Sequence, residues 1–216
     1  MRQISRLSVI AVSTALLITL SSCSSTQSTL EADDQPSTPI ENREMTSDVQ
    51  ENKANGDSPQ GSVTDAANFE ITENEDGTIT ISRYIGTETG IVIPPQIDGK
   101  TVSAIGNVTG TTGAFEGCTN ITAVVIPEGV TEIQDNAFYG CTSLETVTIP
   151  SSVTLLRNCA FCDCPNLRAI YFKGDAPQQA NYVFDSTENV TMYYQDGTSG
   201  WENPWHGRPA EVYIPE

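Results

Sequence analysis

The densest set of reactive side chains in this chain is Cys159-Ala-Phe-Cys162-Asp-Cys164. Thiolates are nucleophiles, redox partners and soft metal ligands, so the string invites each of those readings. A structural zinc site takes four nitrogen or sulfur ligands. Here the one histidine, His206, lies far along the chain and no second close cysteine pair exists, so no metal is expected. A cysteine nucleophile needs a base beside it, and nothing in the spacing brings His206 to Cys159 or Cys162. Free thiols are the favoured reading for this pair, and a local bridge between them, permitted in an oxidising exterior, is the alternative. Carboxylates are plentiful, with 28 acids against 10 bases and a net charge of -18. Glycosidic chemistry needs two of them held across a cleft, and no pattern here builds one. The same charge repels phosphate backbones and excludes a basic nucleic-acid footprint. No catalytic residue and no cofactor is expected.

What positions these cysteines is a repeat. Phe115, Phe138, Phe161 and Phe184 follow one another at a step of 23 residues. Cys118, Cys141 and Cys164 keep the same step, and Thr187 takes the next place. Val124-Val125-Ile126-Pro127 matches Val147-Thr148-Ile149-Pro150, with partial copies at Ile91 to Pro94 and Ile170 to Lys173. Self-similarity at such a period is the signature of a solenoid. Within one coil, Leu144, Val147 and Ile149 form a short apolar strand, and Pro150, lacking an N–H, ends its pairing. Val153 and Leu156 turn inward on the far side, Ala160 and Phe161 fill the centre, and Cys164 packs under the last turn. Stacked coils, about 4.8 Å apart, bury these as continuous columns. Cys118, Cys141 and Cys164 are therefore expected as buried small apolar thiols, and their parallel Cβ directions disfavour bridges between coils.

The repeat resembles the BspA-type leucine-rich repeat of bacterial surface proteins. Ile121 to Leu144 and Leu144 to Leu167 fit its pattern of Leu, Val, Ile-Pro, Ala-Phe and Cys almost completely, and the flanking copies fit in part. The resemblance implies a β-rich solenoid with a short parallel sheet along one face, and no catalytic residues. We expect repeats at about 91–120, 121–143, 144–166 and 167–189, with caps at both ends. Phe69 to Ile81 reads as two strands around Asp76-Gly77, a hairpin signal, covering the first coil's open edge. The coil from Ile93 to Phe115 is enlarged around Ile97 to Thr101 and Asn107 to Thr112. An irregular C-terminal cap at 190–216 carries Trp201 and Trp205 as a lid.

Ahead of the repeat domain, 67–216, stand two segments of other kinds. Residues 1–22 combine Arg2 and Arg6 with a mostly apolar run from Leu7 to Leu20, too short for a spanning helix and built like a signal peptide. Its end, Leu20-Ser21-Ser22-Cys23, resembles a bacterial lipobox, which implies acylation of Cys23 and anchoring through lipid alone. Residues 23–66 hold no aromatic side chain and are acidic and polar; such a segment cannot bury enough apolar surface to order itself and reads as a tether.

The expected role is therefore non-catalytic binding at the cell surface. The outward strand positions Thr122, Glu145 and Arg168, together with Thr148 and Tyr171, are one candidate surface, and the enlarged first coil is another. A protein partner, from a host or from the envelope, is the favoured ligand. A glycan is the alternative, with exposed tyrosines as stacking platforms.

Overall fold

The computed structural model describes residues 61–107 and 112–214. The signal peptide, Cys23 and the tether up to residue 60 lie outside the described residues. One turn of 3₁₀ helix at Ala66–Asn68 leads into β1 (Phe69–Glu73), β2 (Ile79–Tyr84), β3 (Gly90–Val92), β4 (Gln96–Ile97), β5 (Lys100–Ile105), β6 (Ala123–Val125) and β7 (Glu132–Ile133). The remaining strands are β8 (Thr146–Ile149), β9 (Leu155–Leu156), β10 (Ala169–Phe172), β11 (Gln178–Gln179), β12 (Thr191–Gln195) and β13 (Ala210–Tyr213).

Each coil contributes one strand to each of two parallel sheets, where the sequence pattern led us to expect a sheet on one face only. The first sheet runs β3-β6-β8-β10-β12-β13, and the second runs β1-β2-β5-β7-β9-β11 with β4 added beside β5. The second sheet arises because Leu155 and Leu156, and their equivalents, pair backbone while Leu156 turns inward. Its middle strands are only two residues long, too short to announce themselves by alternation. Every pairing is parallel except the two local hairpins, β1/β2 and β4/β5.

In-register pairing lays like residues in rows. Ile91, Val124, Val147, Ile170, Met192 and Ala210 form one inward row of the first sheet, and all are buried. Ile81, Ile105, Ile133 and Leu156 form the facing row of the second sheet, which ends at Gln179. Between the sheets stands the aromatic column. Phe115, Phe138, Phe161 and Phe184 stack at centroid distances of 4.9, 5.1 and 5.8 Å with nearly parallel rings. Tyr84 of β2 extends the column by one ring, 5.3 Å from Phe115, and Phe69 closes its N-terminal end.

The turns that carry Phe138, Phe161 and Phe184 use left-handed backbone at two places, and the turn of Phe115 at the second only. The first is filled by Asn136, Cys159 and Tyr182, with φ of 57, 51 and 62°. The second is filled by Gly117, Gly140, Asp163 and Ser186. Glycine and Asn or Asp tolerate this conformation best, so the period is written in the backbone as well as in the core.

Strands outside the 23-residue repeat close both ends of the described stack. The hairpin β1/β2 pairs through β2 onto β5, covering the edge of the second sheet. Just before it, Thr64 N–H donates to Val92 O at 2.9 Å and its hydroxyl accepts from Val92 N at 3.1 Å, so this residue shields the edge of the first sheet. The first part of the enlargement, Ile97 to Thr101, is the hairpin β4/β5, turning at Asp98-Gly99, where both residues have positive φ, and residues 108–111 of the second part lie outside the described residues. At the other end Trp205 is buried, and Trp201 stacks on Tyr194 at 5.0 Å. The cap also adds β12 and β13 to the first sheet, which the sequence had not suggested.

Candidate binding face

Thr122, Glu145 and Arg168 stand just ahead of β6, β8 and β10, outside the paired residues of the first sheet rather than at outward positions within its strands. Their backbones form a ladder: Glu145 N donates to Thr122 O at 2.8 Å, Arg168 N to Glu145 O at 2.9 Å, and Thr191 N to Arg168 O at 2.9 Å. Thr122 is half-buried, while Glu145 and Arg168 are exposed. The structure thus brings these three together as one row of a hydroxyl, a carboxylate and a guanidinium, held on rigid backbone.

Thr148 and Tyr171 depart from expectation. They lie side by side in the outward row Val125, Thr148, Tyr171, Tyr193, Glu211, yet their exposures are only 2% and 8%. The cause is a cluster of tyrosines. Tyr193 stacks on Tyr171 at 5.3 Å, and Tyr213, reaching back from the last strand, meets it edge-on at 5.4 Å. Tyr171 is therefore a floor rather than a contact surface, and the half-buried Tyr193 and Tyr213 form what faces outward. Burial raises the phenol pKa of all three, moving their ionisation further from neutral pH, where an ordinary phenol is already a neutral O–H group. Tyr213 belongs to the cap, outside the repeat, so no periodic signal marks its return to Tyr171.

The cysteines divide as their repeat positions suggest, with one correction. Cys118, Cys141 and Cys164 are buried thiols in a column. Cys141 Sγ–H donates to Phe115 O and Cys164 Sγ–H to Phe138 O, each at 3.1 Å. Cys159 and Cys162, expected as free and exposed, form a disulfide with Cα atoms 4.7 Å apart, inside the range that bridges require. Cys162 is buried. The left-handed backbone at Cys159 turns the two side chains toward each other, and sequence spacing does not reveal that turn. Among the described residues no group of three or more His, Cys, Asp or Glu is placed to hold a metal ion. His206 sits edge-on against Trp205, 5.0 Å away.

Stacked coils of 23 residues, with parallel strands in both walls and shared columns of phenylalanine and cysteine, define a leucine-rich repeat solenoid. Residues 109–198 match the BspA type leucine rich repeat region in six copies. The fold is similar to that of the Treponema pallidum leucine rich repeat protein, at 24% identity and a TM-score of 0.51, over 72% of this chain and 84% of that one. It is also similar to a leucine rich cell surface protein of Faecalibacterium prausnitzii, at 30% identity and a TM-score of 0.51. That likeness covers 74% of this chain but 44% of the other, so this chain spans less than half of its length. No curated protein matches this chain.

Proposed function

We propose that this protein is a non-catalytic surface lipoprotein, anchored through Cys23, whose solenoid holds out a rigid face for a protein partner of host or envelope origin. The observation that carries the reading is the ladder of Thr122, Glu145 and Arg168. It sets a hydroxyl, which donates to Thr89 O and is left an acceptor, beside an anion and a cation at strand spacing, and preorganised polar groups give specificity at low ordering cost. The name of the Faecalibacterium prausnitzii relative, a cell surface protein, supports the location, and the signal segment with its Cys23 supports the anchor. The test is affinity capture from envelope and host-surface extracts with the full chain beside an Arg168→Glu, Glu145→Lys variant. A stoichiometric protein captured by the native chain and lost in the variant is expected. Capture that the charge swap leaves unchanged would remove this face from the reading.

A further inference from the structure

A concavity of about 450 Å³ opens on the last coil, bounded by Gln179, Asn181, Tyr182, Asp185, His206 and Arg208. That volume lies within the range of small-ligand sites. None of these residues belongs to the outward rows described above, so what the cavity does is independent of the protein-binding reading.

Tyr182 occupies the left-handed place held by Asn136 and Cys159 in earlier coils, with φ of 62°. A bulky side chain is unusual there, and strain of this kind persists where the surroundings over-determine it and clusters at ligand sites. The surroundings are visible: Phe161 N donates to Val183 O, Asp163 N donates to Asp185 O, and the carbonyl oxygen of Tyr182 lies 2.8 Å from Cys162 Sγ of the disulfide. Yet the side chain of Tyr182 gains little burial in return, since the residue is 74% exposed. Packing therefore does not account for a tyrosine at this place.

The polar groups around it are fixed. Arg208 and Trp205 exchange backbone hydrogen bonds of 2.9 and 3.0 Å across the His206-Gly207 turn. Trp205 is buried in the cap, and Arg208 Nη2 donates to Phe184 O at 2.9 Å. Gln179 is the anomaly of the second sheet. It follows Ile81, Ile105, Ile133 and Leu156 in an otherwise aliphatic row, and its Nε2 is buried with no hydrogen-bond partner. A native buried donor without a partner calls for an explanation, and a bound group is one.

The mixture of groups decides the ligand class. An anion would face Asp185 within the cavity and the charge of -18 outside it. An apolar ligand would strip water from Arg208, Asp185 and Asn181 and offer them no partner. Hydroxyl groups both donate and accept, so a ring bearing several of them satisfies donors and acceptors together while its apolar face lies on the exposed phenol ring. We propose that this cavity is a binding site for a neutral saccharide, stacked on Tyr182 and hydrogen-bonded through Arg208, Asp185 and Asn181.

The test is calorimetric titration of the full chain with cellotetraose, xylotetraose, mannotetraose and tetragalacturonate. We expect at least one neutral tetrasaccharide to bind and tetragalacturonate to bind more weakly. Tyr182→Ala should weaken binding by about two- to tenfold and Tyr182→Phe should retain it. Arg208→Gln should weaken it roughly tenfold or more. Ile85→Ala, an exposed side chain at the other end of the stack, should leave it unchanged. Because Tyr182 is exposed, its variants keep the fold, which circular dichroism checks. Binding of none of the neutral sugars, stronger binding of tetragalacturonate, or full affinity in Tyr182→Ala would each overturn the assignment.

Discussion

The hydroxyl of Thr187 donates to the carbonyl oxygen of Phe161 at 2.7 Å, repeating with oxygen what Cys164 does with sulfur toward Phe138. Thr187 also accepts from Cys164 N at 3.0 Å, and it is fully buried. The fourth coil has thus lost its cysteine without losing the bond the cysteine makes. Replacing Thr187 by Val removes the donor and the acceptor while keeping the shape, so two buried backbone groups lose partners. Such groups cost about 1–3 kcal/mol to orphan. Chemical denaturation should show a loss of that order for Thr187→Val and a much smaller one for Thr187→Cys. Equal losses in the two variants would mean that the hydrogen bond is not what the position requires.

The phenylalanine column is expected to be graded along its length. Phe138 is covered on both faces by Phe115 and Phe161. Truncating it to Ala should cost about 3–5 kcal/mol. Phe184 ends the stack and is 6% exposed, so Phe184→Ala should cost less. Melting temperatures in the reverse order would contradict a shared interior column.

Thiol reactivity separates the cysteines. Iodoacetamide at pH 8 should leave Cys141 and Cys164 unmodified in the native chain, and Cys159 and Cys162 should label only after reduction. Modification of Cys159 without reductant, read by peptide mass, would show that the bridge is absent.

Stability should also fall in alkali through Cys164. Burial pushes its thiol up to about 12, above the ordinary thiol value of about 8.5 that holds in an unfolded chain. The folded state therefore keeps a proton that the unfolded state gives up. This contribution is full below the unfolded value and is lost as the pH climbs from there toward about 12. The urea midpoint should be level from pH 6 to 8 and decline above that range, less so in Cys164→Ala.

The anchor is tested by fractionation. Native chain should sediment with membranes and Cys23→Ala should remain in the supernatant. A variant that still sediments would place the attachment elsewhere.

How much of this was legible in advance depends on distance along the chain. The columns of Phe115 to Phe184 and Cys118 to Cys164 could be read because each contact joins residues one period apart. The N-terminal hairpin could be read from Asp76-Gly77, whose turn is closed by Asp76 accepting from Thr78 N at 2.9 Å. Thr148 and Tyr171 were misread because alternation predicts which way a side chain points, not what lies over it, and Tyr213 arrives from a cap that obeys no period. The Cys159–Cys162 bridge was misread because backbone handedness, not spacing, brings the sulfurs together. Gln179 was passed over because one amide in a two-residue strand carries no pattern until the row it completes is seen to be aliphatic.

The matched register of the coils has a consequence for inheritance. The unit from Leu144 to Asn166 meets its predecessor and successor through the same rows, so neither cap senses how many such units stand between them. Gain or loss of one 23-residue segment changes the height of the stack by a single strand spacing, about 4.8 Å, while both ends stay intact. Lineages carrying such a gene can therefore alter reach and surface area by duplication, in whole steps, with no new core to invent.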